Sequence, residues 1–334
     1  MKKNNAIIIW LLAGCFLVYM MVIIGGLTRL THSGLSMVEW KPTGSLPPMN
    51  TEEWNIQFDK YKQSPEFKLI NYDFTLSDFK SIFWWEYIHR FLGRIIGVVF
   101  ILPFFYFLIR KQFPVGFIRK MLLLLFIGAL QGFVGWFMVS SGLQQNPNVS
   151  HYRLATHLIT ALTAFAFTFW FALDLLYPNR ESVSNPKLKK YATVIFVLVV
   201  FQIIYGAFVA GLKAGYVYPT FPKMGSQWVP DGLLELQPWW RNYTETQVGV
   251  QFVHRCLAYL VVTFIGLLWW NSKKSKLSPI QVTLLNWFAI IVLMQFMLGV
   301  ITILFGVPVI IAIIHQTGAF FIFSTALFLI HRLR

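Results

Sequence analysis

Eight apolar stretches, each long enough to cross a bilayer, constrain this 334-residue chain more than any other feature. A transmembrane helix needs about 20 mostly apolar residues, because only a helix satisfies its own backbone hydrogen bonds in lipid. Charged residues make up 12% of the chain, against about 25% in soluble domains. The sequence therefore predicts an all-α integral membrane protein. The predicted spans are 6–27, 82–109, 119–141, 152–177, 191–212, 247–270, 279–304 and 308–331.

The net charge of +15 is explained by membrane topology and not by a nucleic-acid partner. If the N-terminus is cytoplasmic, more than half of the 28 basic residues fall in the short inner loops and the two termini, as the positive-inside rule expects. We predict a multi-pass protein of a bacterial inner membrane with both termini in the cytoplasm. The outer side then carries a long loop, 29–81. We interpret this loop as a solvated cap without a partner. The alternatives are that it covers the substrate site or contacts a partner protein.

The chain divides into two similar halves. Four spans return a chain to its starting side, so a second set of four can repeat the first in the same orientation. "YIHRFLG" in the second span matches "FVHRCLA" in the sixth, with His-Arg in register. We predict two pseudo-symmetric four-helix bundles, 1–178 and 191–334, joined by an inner linker, 179–190. A Gln-x-x-x-Gly step, interpreted mainly as close helix packing through glycine, recurs at Gln131/Gly135, Gln202/Gly206 and Gln295/Gly299.

Four histidines lie within the even-numbered spans, at similar distances from their outer ends. A lone histidine in a span often bonds to a neighbouring helix, but ionisable groups there are costly and usually functional. A histidine pair on facing helices of a four-helix bundle is a common way to ligate haem iron from both sides. We therefore predict one haem in each bundle. The four residues are His89, His157, His254 and His315.

The residue four positions after each histidine, on the same helix face, is small in all four spans. Small residues there leave room for a flat macrocycle against the helix. Zinc is a weaker candidate because it prefers tetrahedral sites completed by cysteine or carboxylate, and a di-iron site needs glutamates that the spans lack. The small residues are Gly93, Ala161, Ala258 and Ala319.

The two halves differ three residues before the first histidine of each pair, where Glu86 corresponds to Gln251. A carboxylate can exchange a proton and an amide cannot. We expect mostly apolar surroundings for Glu86, with chemistry in the first bundle and a fixed cofactor in the second. The alternative is that Glu86 anchors a histidine or pairs with an arginine. Four arginines are candidates for contact with the haem propionates. An equal alternative is a structural role, in which they contact helix ends or backbone carbonyls. They are Arg29, Arg90, Arg94 and Arg255.

Long motifs in both halves resemble those of the haem A synthase family. The first half reads "GGLTRLTHSGLSMVEWKPTGSLPP" and "WWEYIHRFLGRIIG", and the second reads "AGLKAGYVYPTFPKMGSQWVP", "QFVHRCLAY" and "IHQTGA". The resemblance covers nearly the whole chain. It is to the mitochondrial and proteobacterial-type branch, since the outer-loop cysteine pair of some bacterial members is missing.

The resemblance implies an enzyme that oxidises the C8 methyl of haem O to a formyl group, giving haem A for terminal oxidases. It implies that His89 and His157 flank the substrate haem O, that Glu86 is the catalytic carboxylate, and that His254 and His315 hold a haem b cofactor. Implied partners are an electron donor that the sequence does not identify and, by handover of haem O, the farnesyltransferase that makes it.

Two other classes of protein remain open on the residues alone. A di-haem membrane cytochrome for electron transfer would use the same histidine pairs, but would have little need for Glu86 or the long outer loop. A proton-coupled transporter could use Glu86 and the histidines as a proton relay. The equal depth of the histidines disfavours this, because a relay needs groups at successive depths across the membrane. Haem extraction separates these classes.

Overall fold

The computed structural model describes residues 4–40, 44, 46–144, 147–179 and 185–334. Within these ranges the chain is helical and forms no β-strand beyond one isolated bridge. Eight of the described helices are long and apolar enough to cross a membrane. This confirms the prediction of an all-α, multi-pass membrane protein.

The spanning helices follow the eight predicted stretches closely. The largest differences are at the starts of α4 (Leu76–Ile109) and α7 (Pro186–Gly211), which begin before the predicted 82 and 191. Thr75 and Asp78 form a capping box that sets the start of α4, and Asn185 caps α7 at the backbone N–H of Leu188. The spanning helices are α1 (Asn5–Leu30), α4 (Leu76–Ile109), α5 (Phe117–Ser140), α6 (His151–Leu176), α7 (Pro186–Gly211), α9 (Gln247–Ser272), α10 (Pro279–Leu304) and α11 (Val309–Arg332). The shorter helices are α2 (Thr51–Lys62), α3 (Pro65–Leu69) and α8 (Asn242–Glu245).

The chain separates into two compact units, Met1–Thr168 and Phe169–Arg334. The division falls within α6, whereas the predicted halves were separated by the linker 179–190. Residues 180–184 of that linker, and Lys2 and Lys3 before the first span, lie outside the described residues. The pseudo-symmetry of the two halves stays a prediction.

Helix packing in the second unit makes a closed ring of four. Helix α7 packs on α9 and α11, and α10 packs on the same two helices. In the first unit α4 packs on α1 and α5, and α6 contacts α1 where Thr168 lies against Gly14. In the second unit α9 thus packs on α7 and α11 on α10, while in the first unit α4 packs on α1.

Residues 46–81, within the loop predicted to be the outer one, form a folded segment with a core of its own. Trp54, Phe58 and Tyr61 recur on one face of α2 and are buried against Phe79 and Phe83 at the start of α4. The ring centroids of Trp54 and Phe83 are 5.0 Å apart, and those of Tyr61 and Phe79 are 5.1 Å apart. Aromatic pairs at such distances contribute about 0.5–1.5 kcal/mol beyond their burial. The segment is thereby fixed to the helix that carries Glu86 and His89.

Candidate functional site

Each of the four histidines packs its imidazole against a glycine of a neighbouring helix. A Cβ on Gly25 of α1 would lie 2.9 Å from Cε1 of His89, and one on Gly135 of α5 would lie 2.9 Å from Cε1 of His157. In the second unit, the corresponding distances are 3.4 Å from Gly206 of α7 to His254 and 3.0 Å from Gly299 of α10 to His315. At 2.9–3.0 Å a side chain in place of Gly25, Gly135 or Gly299 would displace the ring, whereas the 3.4 Å at Gly206 is close to ordinary contact.

The histidines interact in pairs within their own units. His89 and His157 are close enough to interact electrostatically, and so are His254 and His315. Within the described part of the chain, the buried Nδ1 atoms of His89, His254 and His315 have no hydrogen-bond partner. Buried polar atoms without partners are rare and are often explained by function. These rings are therefore candidates for ligation.

A haem fits these pairs by the chemistry of its ligands. It needs two axial side chains, since the porphyrin supplies the other four iron ligands. Zinc and di-iron sites need larger sets of protein ligands, and the described residues contain no group of three or more His, Cys, Asp or Glu side chains that could hold a metal ion. Two histidines per unit match the requirement of haem.

The glutamines of the Gln-x-x-x-Gly step contact the histidines, which the sequence interpretation missed. Gln131 places its Nε2 3.2 Å from Nδ1 of His157 and donates to the backbone oxygen of the same residue at 3.1 Å. The sequence interpretation explains the step mainly by packing through the glycine. Its glycine does pack closely, but against the histidine. The constant spacing of the glutamine was the signal for a second role.

Glu86 is buried, at 3% exposure, but its surroundings are not apolar. Its Oε2 accepts hydrogen bonds from the Ser36 hydroxyl at 2.7 Å and the Met37 N–H at 2.8 Å. Its Oε1 pairs with Arg90 at 2.6 Å. The expectation of an apolar environment is wrong because the segment that follows α1 folds back onto α4 and brings donors with it. These contacts hold the carboxyl group of Glu86 in one position.

The same helix position is also tied to an outer segment in the second unit. Gln251 Nε2 donates to the Tyr218 oxygen at 3.3 Å. Arg255 donates to the same oxygen at 2.8 Å and to the Lys223 oxygen at 3.2 Å. Arg90 likewise donates to backbone oxygens in the first unit, those of Met37 and Glu39. In each unit an arginine next to a histidine holds the segment that follows the unit's first helix.

The candidate propionate arginines therefore have different surroundings. Arg90 and Arg255 make the carbonyl contacts that were their structural alternative. Arg94 lies against Gly44 and lines a cavity with Tyr87 and Phe91, which at 100° per residue are about 200° from His89 around α4. Arg29 lies in the last turn of α1. Contact of these four with propionates stays a prediction.

Comparison with known proteins agrees with this construction. The model of the COX15-CtaA family, described as cytochrome oxidase assembly protein, matches residues 8–327. This chain belongs to the COX15-CtaA family. A relative from Flavobacterium psychrophilum, named Heme A synthase, is 50% identical over 99% of both chains. Heme A synthase from Nitrosospira multiformis is 43% identical over 99% of this chain and 94% of its own. Heme A synthase COX15 from Arabidopsis thaliana is 42% identical over 98% of this chain and 74% of its own.

Membership of the COX15-CtaA family confirms the resemblance drawn from the sequence motifs. It does not favour the electron-transfer alternative. The roles of Glu86 and of the individual histidines are not tested by family membership and stay predictions. Cys15 and Cys256 are free and lie within α1 and α9, in agreement with the absence of an outer cysteine pair.

Proposed function

We propose that this chain is a haem A synthase, which oxidises the C8 methyl of haem O to a formyl group through hydroxylated intermediates. The observation that carries the proposal is that the two units share a pair of seated histidines but differ at one position beside them. Both have a pair of histidines seated against glycines, while the position three residues before the first histidine is a buried carboxylate in one and an amide in the other. Full-length similarity to proteins named Heme A synthase supports it.

His89 and His157 would hold the substrate haem O, and His254 and His315 would hold a haem b cofactor. The residues one turn beyond each histidine are small, and at Gly93 the methyl of Met21 lies 3.1 Å from the Cβ position. When bound, the haems supply redox-active iron. The chain's own part is to orient the histidines, through glycine contacts and glutamine amides, and to place a carboxylate near the first pair.

Glu86 is the proposed proton-transferring group. With water as the oxygen source, conversion of a methyl to a formyl group releases four electrons and four protons. With dioxygen, each of two hydroxylations takes up two electrons and two protons and releases one water, and the resulting diol loses a further water to give the formyl group. Either route needs a group that exchanges protons near the substrate. The donors from Ser36, Met37 and Arg90 hold the Glu86 carboxyl group in one position, and a carboxyl group can exchange a proton where the amide of Gln251 cannot.

The test is replacement of Glu86 by an isosteric amide. We expect Glu86→Gln to retain haem, because an amide keeps the size and a hydrogen-bond acceptor, but to accumulate haem O without haem A. The matched control is Ser36→Ala, which removes one donor at 2.7 Å and leaves the carboxylate; it should still make haem A. Haem extraction and chromatography after expression with haem O supply measure both. Normal haem A production by Glu86→Gln would refute a catalytic role for Glu86.

The remaining assignments have tests of their own. His254→Ala should lose haem b, which the pyridine haemochrome spectrum measures.

We also propose that the protein lies in a bacterial inner membrane with both termini in the cytoplasm, because its basic residues are concentrated in the loops on the side of the termini. Reporter fusions at both ends should give cytoplasmic signals. The electron donor and the farnesyltransferase that makes haem O are proposed partners.

A further inference from the structure

Each unit has an arginine directly after a histidine, and the two arginines make the same pair of backbone contacts. Arg90 donates from Nη1 to the Glu39 oxygen at 2.8 Å, and Arg255 donates from Nη1 to the Lys223 oxygen at 3.2 Å. The Nη2 atom of each arginine donates to a second oxygen of the same segment, at 2.9 Å in the first unit and 2.8 Å in the second. Glu39 and Lys223 therefore occupy equivalent places. The sequence does not pair them, because the two accepting residues are two positions apart in the first segment and five apart in the second.

The two equivalent residues carry opposite charges. Glu39 forms an ion pair with Lys60 of α2 at 2.6 Å, which balances its charge. Lys223 is exposed, and within the described ranges its ammonium group has no acidic partner and lies 5.8 Å from the centroid of the Trp228 ring. The second unit thus has an exposed cation where the first unit has a neutral pair.

Lys223 is held beside the histidine that is proposed to bind haem b. Its backbone oxygen is bonded to Arg255, which follows His254 on α9 and is only 8% exposed. His254 lies seven residues after the start of α9, which is about 10 Å along the helix. The segment that carries Lys223 therefore extends along α9 to the level of this histidine.

A cation at this level suits the outer edge of a bound haem. A haem carries two propionate groups, and carboxylates that leave water without a partner are costly. Both Nη atoms of Arg255 are already bonded to backbone oxygens. A lysine ammonium offers three donors and a compact charge, which can meet a carboxylate from several directions.

We propose that Lys223 binds a propionate group of the haem in the second unit, and that Arg255 positions the segment that carries this lysine. The proposal rests on the proposed function, in which His254 and His315 hold haem b. In the first unit the equivalent place is taken by Glu39, paired with Lys60, so the haem there has no matching lysine. The two haem sites therefore differ in charge at this place as well as at Glu86.

The test is Lys223→Gln, with Lys274→Gln as the matched control. Lys274 is exposed and lies beyond the other end of α9, so its replacement makes the same change in charge far from His254. Purified holoprotein is mixed with excess apomyoglobin, and chromatography identifies the haem that leaves as farnesylated or not. We expect Lys223→Gln to release the haem without a farnesyl tail roughly 10-fold faster than the wild type. The reduction potential of this haem should also decrease, because a nearby cation favours the reduced form. Lys274→Gln should match the wild type in both measurements.

Equal release rates and potentials for Lys223→Gln and Lys274→Gln would overturn the proposal. If Lys223→Gln is purified without this haem, Lys223→Arg decides the question, since it keeps the charge. Haem that is retained in Lys223→Arg supports the proposal, whereas loss of the haem from both variants overturns it. Failure of the proposed function is a separate outcome, in which the wild type makes no haem A from haem O.

Discussion

Replacing Gly135 with alanine tests whether the glycine contacts position the histidines. The new Cβ would lie 2.9 Å from Cε1 and 3.4 Å from Nδ1 of His157. Carbon atoms pack best at about 3.5–4.0 Å, so the ring must retreat by roughly 0.6–1.1 Å or the two helices must separate. Either movement displaces the ring nitrogen that faces the substrate haem in the proposed function.

The size of the effect follows from two opposing terms. Overpacking by one methyl costs about 1–3 kcal/mol, while alanine gains up to about 1 kcal/mol over glycine in a helix. Gly132, one turn earlier on α5, has no atom within 4 Å of its Cβ position, so Gly132→Ala receives the gain without the clash. If the clash falls on the haem-bound state, haem affinity should decrease about 5- to 150-fold.

The assay is a titration of both purified variants and the wild type with haem, followed by the Soret absorbance, with circular dichroism as a check on folding. Gly132→Ala should bind as the wild type does, and Gly135→Ala should bind more weakly. Gly299→Ala gives the same test in the second unit, since its Cβ would lie 3.0 Å from Cε1 of His315. Equal affinities for Gly135→Ala and Gly132→Ala would refute the reasoning.

Two further predictions concern the outer segments. Arg255→Gln should loosen the segment after α7, because it loses donors to the Tyr218 and Lys223 oxygens; faster proteolysis within 217–224 is expected, and an unchanged rate would contradict this. Burial and the nearby Glu66 raise the pKa of Tyr61. The neutral phenol therefore stabilises the segment 46–81 fully at pH values below the ordinary tyrosine pKa of about 10, and this stabilisation is lost as the pH rises above that value. Protease cleavage within 51–71 should therefore increase between pH 8 and 11, and Tyr61→Phe should remove this increase.

The membrane helices could be predicted from the sequence because lipid imposes a length and a composition on each. The first outer segment could not be predicted in the same way, since its helices are short and mixed in character. Their signals were local ones: the Asn50 side chain accepts from the Glu53 N–H to cap α2, and Trp54, Phe58 and Tyr61 follow helical spacing. The early start of α4 depends on a polar capping box, which a count of apolar residues does not detect.

The histidines and the glycines could both be identified in the sequence, but the contacts between them could not be predicted. Helical periodicity relates residues within one helix, whereas the contact of Gly206 with His254 depends on which helices are neighbours. The same limit explains the error about Glu86. Its donors Ser36 and Met37 are about fifty residues away in the chain, and the hydropathy of a span does not report what a distant loop brings to it.

Two departures from the internal repeat meet at one histidine. Glu86 replaces the amide found at Gln251, one turn before His89 on α4, and Met21 replaces the glutamine found in the other three contacts, on the helix that His89 faces. A repeat that carries two cofactors of equal purpose has no reason to differ at both places around the same ligand. In the proposed function, the carboxylate at the first of these places serves proton exchange at the substrate site, which an amide cannot do. Both departures from the repeat thus lie where α1 meets α4, while Gln131 beside His157 keeps the residue type found at Gln202 and Gln295 in the second unit.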